Sequence, residues 1–284
     1  MRHVLSVDVE DWFQVGAFEA VIDKADWDSL APRVERNTDA VLALFAESGV
    51  KATFFTLGWV AARYPKLIRR IVEAGHELAS HGWEHDRVFT MDAATFRADL
   101  ARTRQALEDA GGVAVTGYRA PSFSIDARTP WAHRVLAEEG YAYSSSVAPL
   151  RHDHYGWPEA PRYAFRPLAD CDLVEVPVTV AQFGARRMAT GGGFFRLLPA
   201  ALTDVAVRQV AADGQPAIFY FHPWEIDPDQ PRVANAPVRS KLRHYSRLGA
   251  MAGKVRGLIA RHDWGRMDAV VRDLRAVQSL ELAA

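Results

Sequence analysis

Two kinds of segment alternate along the chain, and the spacing of their hydrophobic residues distinguishes them. Short apolar runs rich in β-branched and aromatic residues predict strands, and longer stretches with apolar residues at helical spacing predict helices between them. Four helical stretches end in a glycine, where a left-handed cap favours that residue: Gly49, Gly75, Gly111 and Gly140. The predicted strands are 3–9, 52–57, 76–80, 116–120, 141–145, 173–180 and 217–222, and the predicted helices are 33–49, 61–75, 93–111 and 131–140.

This β/α alternation predicts a parallel sheet with helices outside it, and it leaves both a closed barrel and an open, doubly wound sheet as candidates. From Asp227 to Arg239 the chain is rich in Pro, Asp and Arg, and the helical stretches 240–262 and 265–280 follow. We therefore interpret 1–284 as a single domain, with 225–284 as a C-terminal helical extension of it.

Composition narrows the class of protein. The 284 residues are 49% hydrophobic and 24% charged, enough to bury a large core, and the net charge of -1 gives no overall electrostatic reason to expect nucleic acid or an anionic membrane as a partner. A single cysteine, Cys171, excludes an internal disulfide and fits a reducing compartment. The N-terminal stretch lacks the apolar run of a signal peptide and no stretch is apolar enough to span a bilayer, so we expect a cytoplasmic protein.

Polar residues gather where four predicted strands end. His81 and His85 follow the third strand and, taken alone, such a spaced pair is more often structural than metal-binding. The carboxyl ends of parallel strands, however, converge on one face, where α/β proteins build their sites. We therefore expect one site there, built from Asp8, Glu10, Asp11, His81, His85, Arg119 and His222.

Four motifs in order carry a family resemblance: "SVDVED", "SHGWEH", "RAPSF" and "FYFHP". From Val4 to Pro223 the chain resembles the NodB-like polysaccharide deacetylases of carbohydrate esterase family 4. The stretches "DVEDWFQVGAF", "TGGGFFRLLP" and "LRHYSRL" are similar to the branch associated with exopolysaccharide and exosortase gene clusters. This resemblance implies a distorted (β/α) barrel of about seven parallel strands with outer helices.

The resemblance also implies an activity, the removal of N-acetyl groups from an N-acetylhexosamine-containing polysaccharide or its lipid-linked precursor. Exopolysaccharide assembly enzymes are the partners it suggests. Amide hydrolysis needs an activated water, a stabilised oxyanion and a proton for the leaving amine. The resemblance implies that Asp8 is the general base, that Arg119 holds it and that His222 is the general acid. It also implies that His81 and His85 bind one divalent metal ion. Zn is favoured over Co, Ni or Fe.

The carboxylate ligand is ambiguous, because Val9 stands where the family usually has a second aspartate. Residues two apart on a strand point the same way, which favours Glu10, with Asp11 as a close second. Ser122 replaces a common aromatic residue after the third motif, and its backbone N–H is a candidate oxyanion donor. The glycine-rich stretch 190–195 predicts either a flexible loop near a sugar or a simple turn.

The substrate-binding surface is predicted from residues beside the motifs, because aromatic faces stack on pyranose rings. The loop 151–165 is interpreted as a lid or groove wall. Two other functions stay open: an amidohydrolase of the same fold acting on a small nitrogenous metabolite, and a catalytically silent carbohydrate-binding protein, which the full set of motif residues disfavours. The predicted substrate-binding residues are Trp12, Pro121, Ser122, Phe123 and Trp224.

Overall fold

A curled parallel sheet forms the centre of the protein, in a computed structural model that describes residues 1–152, 155–184 and 186–277. Its seven main strands form a half-barrel surrounded by helices, which confirms the predicted distorted (β/α) barrel. The strands are β1 (His3–Val9), β2 (Thr53–Thr56), β3 (Glu77–Ser80), β4 (Gly117–Tyr118), β5 (Tyr143–Ser144), β6 (Val174–Glu175), β7 (Val180–Phe183), β8 (Arg186–Ala189), β9 (Ile218–Phe221) and β10 (Trp264–Gly265).

The strand order from one end of the sheet is β6, β5, β4, β3, β2 and β1, and β9 pairs with β1 as well. All of these pairings are parallel. A hydrogen bond from Thr179 N to Ile218 O, 3.2 Å long, joins the segment after β6 to β9 and so links the two ends of the sheet. The strand ends are therefore drawn towards one centre, as in a barrel.

The helices surround this sheet, and the long ones lie close to their predicted positions. The predicted helix 61–75 is divided in two because Pro65 begins a new helix. Gly111 lies inside its helix, and the left-handed cap is Gly112. The helices are α1 (Val34–Ser48), α2 (Gly58–Arg63), α3 (Pro65–Glu73), α4 (Ala93–Gly111), α5 (Ala132–Glu138), α6 (Gly192–Leu197), α7 (Ala200–Ala212), α8 (Val238–Tyr245), α9 (Leu248–Ile259) and α10 (Met267–Val277).

The C-terminal segment supplies more than helices. β10 pairs in parallel with β1 through His3 and Val4, so this part of the chain also completes the sheet. The end of the predicted helix 265–280 lies outside the described residues from position 278 onwards. Within the described part of the chain, no helix is both long and apolar enough to cross a membrane. The single-domain organisation stays a prediction.

Alternation along β1 decides which side chains face the inside of the barrel. Leu5, Val7 and Val9 pack in the apolar cluster beneath the outer helices, whereas Val4 belongs to the inner cluster. Since successive strand residues face opposite sides, Asp8 shares the inner side with Val4. β1 thus delivers a carboxylate to the inside of the barrel at its carboxyl end.

Two stretches differ from the sequence prediction. The predicted strand 173–180 is interrupted at Pro177, which has no N–H for a ladder, and β7 then forms an antiparallel hairpin with β8. The glycine-rich stretch 190–195 is neither a flexible loop nor a simple turn, because α6 begins within it. A Cβ atom at Gly191 would lie 2.5 Å from the ring of Tyr220, and Gly192 has a φ of +51°, so glycine permits close packing against β9.

A buried histidine makes stability depend on pH. His76 accepts a hydrogen bond at Nδ1 from Ala52 N (3.0 Å), and burial, together with Lys51 and Arg266, lowers its pKa from 6.5 to about 4. Between pH 4 and 6.5 this histidine is protonated in the unfolded chain and neutral in the folded chain. The contribution of His76 to the free energy of unfolding is therefore complete above pH 6.5 and falls as the pH drops towards 4. His76→Gln keeps an acceptor without titrating. Between pH 6.5 and 4, we expect the free energy of unfolding of this variant, measured with urea, to fall by roughly 2–3 kcal/mol less than that of the parent protein. Equal losses would contradict a buried neutral His76.

Candidate functional site

A cleft of about 460 Å³ opens over the carboxyl ends of the strands, where the sequence predicted a site. Of the predicted residues, Asp11, Trp12, Arg119 and Pro121 lie outside its lining. Those that line it are Asp8, Glu10, His81, His85, Ser122, Phe123, His222 and Trp224.

Glu10, His81 and His85 form a compact group of metal-ligand atoms. One carboxylate oxygen and one nitrogen from each imidazole lie within 4.8 Å of one another. Glu10 Oε2 is 2.9 Å from His85 Nε2, and yet this buried oxygen has no hydrogen bond of good geometry among the described residues. Glu10 Oε2 and His85 Nε2 are therefore close enough to bind the same cation.

The surroundings of these side chains favour the ligand forms. His81 Nδ1 lies 2.9 Å from the carbonyl oxygen of Arg119, so a proton on Nδ1 leaves the lone pair of Nε2 for a metal. Burial lowers the pKa of His81 to about 4 and keeps the ring neutral. Burial acts to raise the pKa of Glu10, but His85 and His222 hold it well below its usual value. Two imidazoles and a carboxylate fit a divalent transition metal with open positions.

Asp11, the alternative carboxylate ligand, lies away from this group. Its Oδ2 accepts hydrogen bonds from Arg33 N (2.7 Å) and Val34 N (2.9 Å) at the start of α1, and its Oδ1 accepts one from Trp12 N. Burial raises the pKa of Asp11 to about 6 against these hydrogen bonds. Asp11 therefore satisfies the free N–H groups of a helix terminus, and Glu10 is the acid that the structure brings to the two histidines.

Asp8 is held by a buried arginine. Arg119 Nη1 donates to Asp8 Oδ1 (2.7 Å) and to Ser6 Oγ (2.8 Å), and the guanidinium is fully buried. Nε and Nη2 of Arg119 donate to the carbonyl and hydroxyl oxygens of Ser145. This leaves Oδ2 of Asp8 directed towards His222, with Nε2 of that ring 4.0 Å away.

His222 lies beside Asp8 and Glu10 in the cleft and belongs to a chain of charges that the sequence did not reveal. Its Nδ1 lies 2.8 Å from Glu225 Oε1, and Glu225 Oε2 accepts from Arg196 Nε at 2.9 Å. Burial acts to lower the pKa of His222, but Glu10, Glu225 and Asp8 raise it to about 9. The i,i+3 spacing of His222 and Glu225 was a usable signal for their pairing, whereas nothing near Arg196 in sequence pointed to it.

The aromatic predictions divide into cleft residues and packing residues. Trp224 donates from its indole N–H to Glu10 Oε1 (3.0 Å) and stacks between His222 and His244, so it orients the candidate ligand. Trp12 is buried and donates to Ala31 O. Trp12 therefore lies in the core and outside the cleft lining, and its contact with substrate stays a prediction.

The segment after β4 forms one wall of the cleft. Pro121 is buried behind it, while Ser122 and Phe123 line the cleft with left-handed backbone angles, φ 55° and 49°. Such angles are costly for residues other than glycine and occur preferentially at functional sites. The loop 151–165 contributes His152 and Tyr155 to the lining, and the ring of Tyr155 lies 5.9 Å from that of Phe123, as expected of a groove wall; Asp153 and His154 lie outside the described residues.

A second cleft of about 400 Å³ adjoins the first and shares Val15, His85 and Arg87 with it. Gln14 lines this second cleft and is 3% exposed. Its Oε1 accepts from Asp11 N, but its Nε2 has no partner among the described residues. An unused amide donor in a buried side chain is suited to an oxygen of a bound molecule.

In the comparison with known families, residues 25–143 match a model described as polysaccharide deacetylase. Residues 145–272 match a model described as a domain of unknown function, DUF3473. His81, His85 and Arg119 fall in the first match and His222 in the second, while Asp8 and Glu10 precede both. The deacetylase resemblance is confirmed to this extent, and the exopolysaccharide branch stays a prediction.

A peptidoglycan deacetylase from Helicobacter pylori (strain ATCC 700392 / 26695) is 30% identical over 107 residues, which cover 38% of this chain and 36% of that protein. The match thus spans little more than a third of that relative's length. A candidate polysaccharide deacetylase from Mycobacterium smegmatis has a similar structure, with a TM-score of 0.65, 23% identity and coverage of 99% and 93% of the two chains. A Puue allantoinase gives a TM-score of 0.62 at 16% identity, covering 97% and 90%. At these identities the structures show a shared fold alone.

Removing the histidines tests the metal site. We expect the purified protein to bind about one divalent ion per chain, and the double variant His81→Ala/His85→Ala to bind none, because one carboxylate cannot hold a transition metal alone. Metal content after dialysis, measured by atomic emission, checks this. Full occupancy in the double variant would rule out the assigned ligands.

Neutralising Glu10 should mainly weaken metal binding, whereas neutralising Asp11 should mainly lower stability. Glu10→Gln should weaken metal binding by more than about a hundredfold, whereas Asp11→Asn should change it by less than about tenfold. Asp11→Asn should instead cost roughly 1–3 kcal/mol of stability, since its NH₂ group cannot accept from the N–H groups of α1. Chelator competition and urea unfolding on both variants measure the two effects. The reverse order of affinities would give the ligand role to Asp11.

Proposed function

We propose that this protein is a metal-dependent hydrolase that removes N-acetyl groups from an N-acetylhexosamine-containing glycan or its lipid-linked precursor. One observation carries the proposal: the Glu10, His81 and His85 group lies at the floor of a cleft between Asp8 and His222. The polysaccharide deacetylase match over residues 25–143 supports the same reaction class. The exopolysaccharide pathway, assembly enzymes as partners and the cytoplasmic location stay predictions.

Glu10, His81 and His85 are proposed to hold the divalent ion, with Zn as the first candidate. When bound, such an ion supplies a Lewis acid for the amide carbonyl and makes water a stronger nucleophile. The protein contributes the position of the ligands. Trp224 holds one oxygen of Glu10, and the carbonyl of Arg119 fixes the ring of His81.

Asp8 is proposed as the general base. Arg119 occupies Oδ1 and stabilises the carboxylate, so Oδ2 is the atom that takes a proton from the attacking water. The ion pair also fixes the rotation of the carboxylate, because the guanidinium is anchored to Ser6 and Ser145. A base held in one orientation needs no rearrangement during the reaction.

His222 is proposed as the general acid that protonates the leaving nitrogen. Its Nδ1 is held by Glu225, so Nε2 is the atom that faces the cleft. Arg196 neutralises the second oxygen of Glu225, which keeps this carboxylate in place behind the ring. The backbone N–H of Ser122 is the proposed second donor to the oxyanion.

The joined clefts favour an extended substrate over a small metabolite. A ureide would fill part of the first cleft, whereas an oligosaccharide can continue past His85 and Arg87 into the second. Acetate release from N-acetylglucosamine oligomers and the hydrolysis of small ureides, followed by loss of the ureide and including ring opening of cyclic ones, separate the two functions when each is measured with and without added divalent metal. No turnover of any of these with metal bound would favour a carbohydrate-binding protein.

Asp8→Asn tests the base. We expect it to retain the metal, since the three ligands remain, and to lose about a hundredfold to ten-thousandfold in turnover. His222→Ala should have a similar effect on turnover with metal retained. Asp109→Asn, an exposed carboxylate on α4, is the matched control and should keep parent activity. Near-normal turnover by Asp8→Asn with metal bound would exclude Asp8 as the base.

Chain length tests the second cleft. We expect kcat/KM to rise by at least about tenfold from short to long N-acetylglucosamine oligomers, equivalent to roughly 1.4 kcal/mol of extra transition-state binding. Thr90→Trp should remove this gain while leaving the shortest substrates unchanged, because Thr90 lies on the exposed rim of the second cleft. A length dependence that survives Thr90→Trp would place the extra sugars elsewhere.

A further inference from the structure

Positive charge is concentrated in one segment of the chain. Residues 230–262 contain eight lysines and arginines and neither aspartate nor glutamate, although the whole protein has a net charge of -1. α8 lies inside this segment. The overall charge therefore conceals a strongly basic local surface.

The solvent-facing side of α8 is also unusually apolar. Val238 is 69% exposed and Leu242 is 62% exposed, and residues four apart lie on one face of a helix. Arg239 is exposed beside them. A helix that presents large apolar side chains and cations together to solvent has the composition of an interfacial membrane helix.

Three cations of this surface have no carboxylate partner within residues 1–152, 155–184 and 186–277. Among the described residues, Arg239, Lys241 and Arg247 form no ion pair with a carboxylate; Lys241 Nζ donates instead to the carbonyl of Ala234. Arg256 and Arg261, in the following helix and loop, are paired with Glu47 and Asp204. Arg239 and Lys241 thus lie on α8, and Arg247 lies two residues beyond its end.

We propose that the α8 surface, made by Val238, Arg239, Lys241, Leu242 and Arg247, docks on an anionic lipid bilayer. The cations attract acidic headgroups, and the two apolar side chains enter the boundary between headgroups and acyl chains. A soluble polyanion such as nucleic acid would use the cations but leave Val238 and Leu242 in water. This proposal concerns location and does not rest on the proposed function.

Docking through α8 would bring the cleft to the membrane surface. Ser240 and Arg243 of the same helix line the first cleft. On the buried side of α8, His244 stacks on Trp224 with ring centroids 4.2 Å apart. A molecule anchored in the bilayer could therefore reach the cleft without leaving the membrane.

Vesicle sedimentation of the full chain tests this proposal. We expect binding to vesicles of phosphatidylglycerol and phosphatidylcholine, weaker binding as salt rises, and little binding to pure phosphatidylcholine. Arg239→Gln/Lys241→Gln should weaken binding by about fivefold per charge. Val238→Ser/Leu242→Ser should weaken it by at least about tenfold, because both apolar contacts are lost.

The matched control replaces one exposed apolar residue by serine and one exposed lysine by glutamine, on the α3 and α4 side of the sheet. Val113 is 39% exposed and Lys66 is exposed, so Val113→Ser/Lys66→Gln should bind vesicles as the parent protein does. Circular dichroism verifies that all variants fold. No binding to the anionic vesicles, or equal losses in the control, would overturn the proposal. So would binding to duplex DNA as tight as to vesicles and unaffected by Val238→Ser/Leu242→Ser.

Discussion

A fully buried guanidinium organises the centre of this protein. A charge removed from water must be paired and hydrogen-bonded, and Arg119 meets this requirement with Asp8 and Ser6 on β1 and with Ser145 just after β5. The guanidinium carbon of Arg119, Cζ, also lies 4.0 Å from the ring centroid of Phe55. The carbonyl of the same residue fixes His81. The proposed base and one proposed ligand thus depend on a single side chain and its backbone, so losing Arg119 would disturb both at once.

Much of the site could be predicted because it follows from strand periodicity. The apolar run of β1 marks a strand, its alternation places Asp8 on the inner side, and the acid two positions later falls on the same side. The same reasoning brings His81 and His222 to the mouth of the barrel. These residues are close because parallel strands share one direction, a property that each strand carries in its own sequence.

The remaining features depend on how separate elements pack. Asp11 differs from Glu10 by one position, and its role is decided by where α1 begins, 23 residues later. Arg196 reaches Glu225 across 29 residues because α6 lies against the turn after β9. The β7 and β8 hairpin was missed since an apolar run containing Pro177 resembles one strand. Trp12 and Trp224 both adjoin motif residues, and only tertiary packing separates the core residue from the cleft residue.

The glycines at the start of α6 have an evolutionary consequence. Gly191 and Gly192 touch neither proposed ligand nor proposed base, yet any side chain there would press on Tyr220. That ring packs edge-on against Phe123 in the cleft wall and lies beside His222. Substitution at either position would disturb the proposed site by displacing this aromatic ring. Selection for the proposed function would therefore constrain both positions, although neither contacts a proposed ligand or the proposed base.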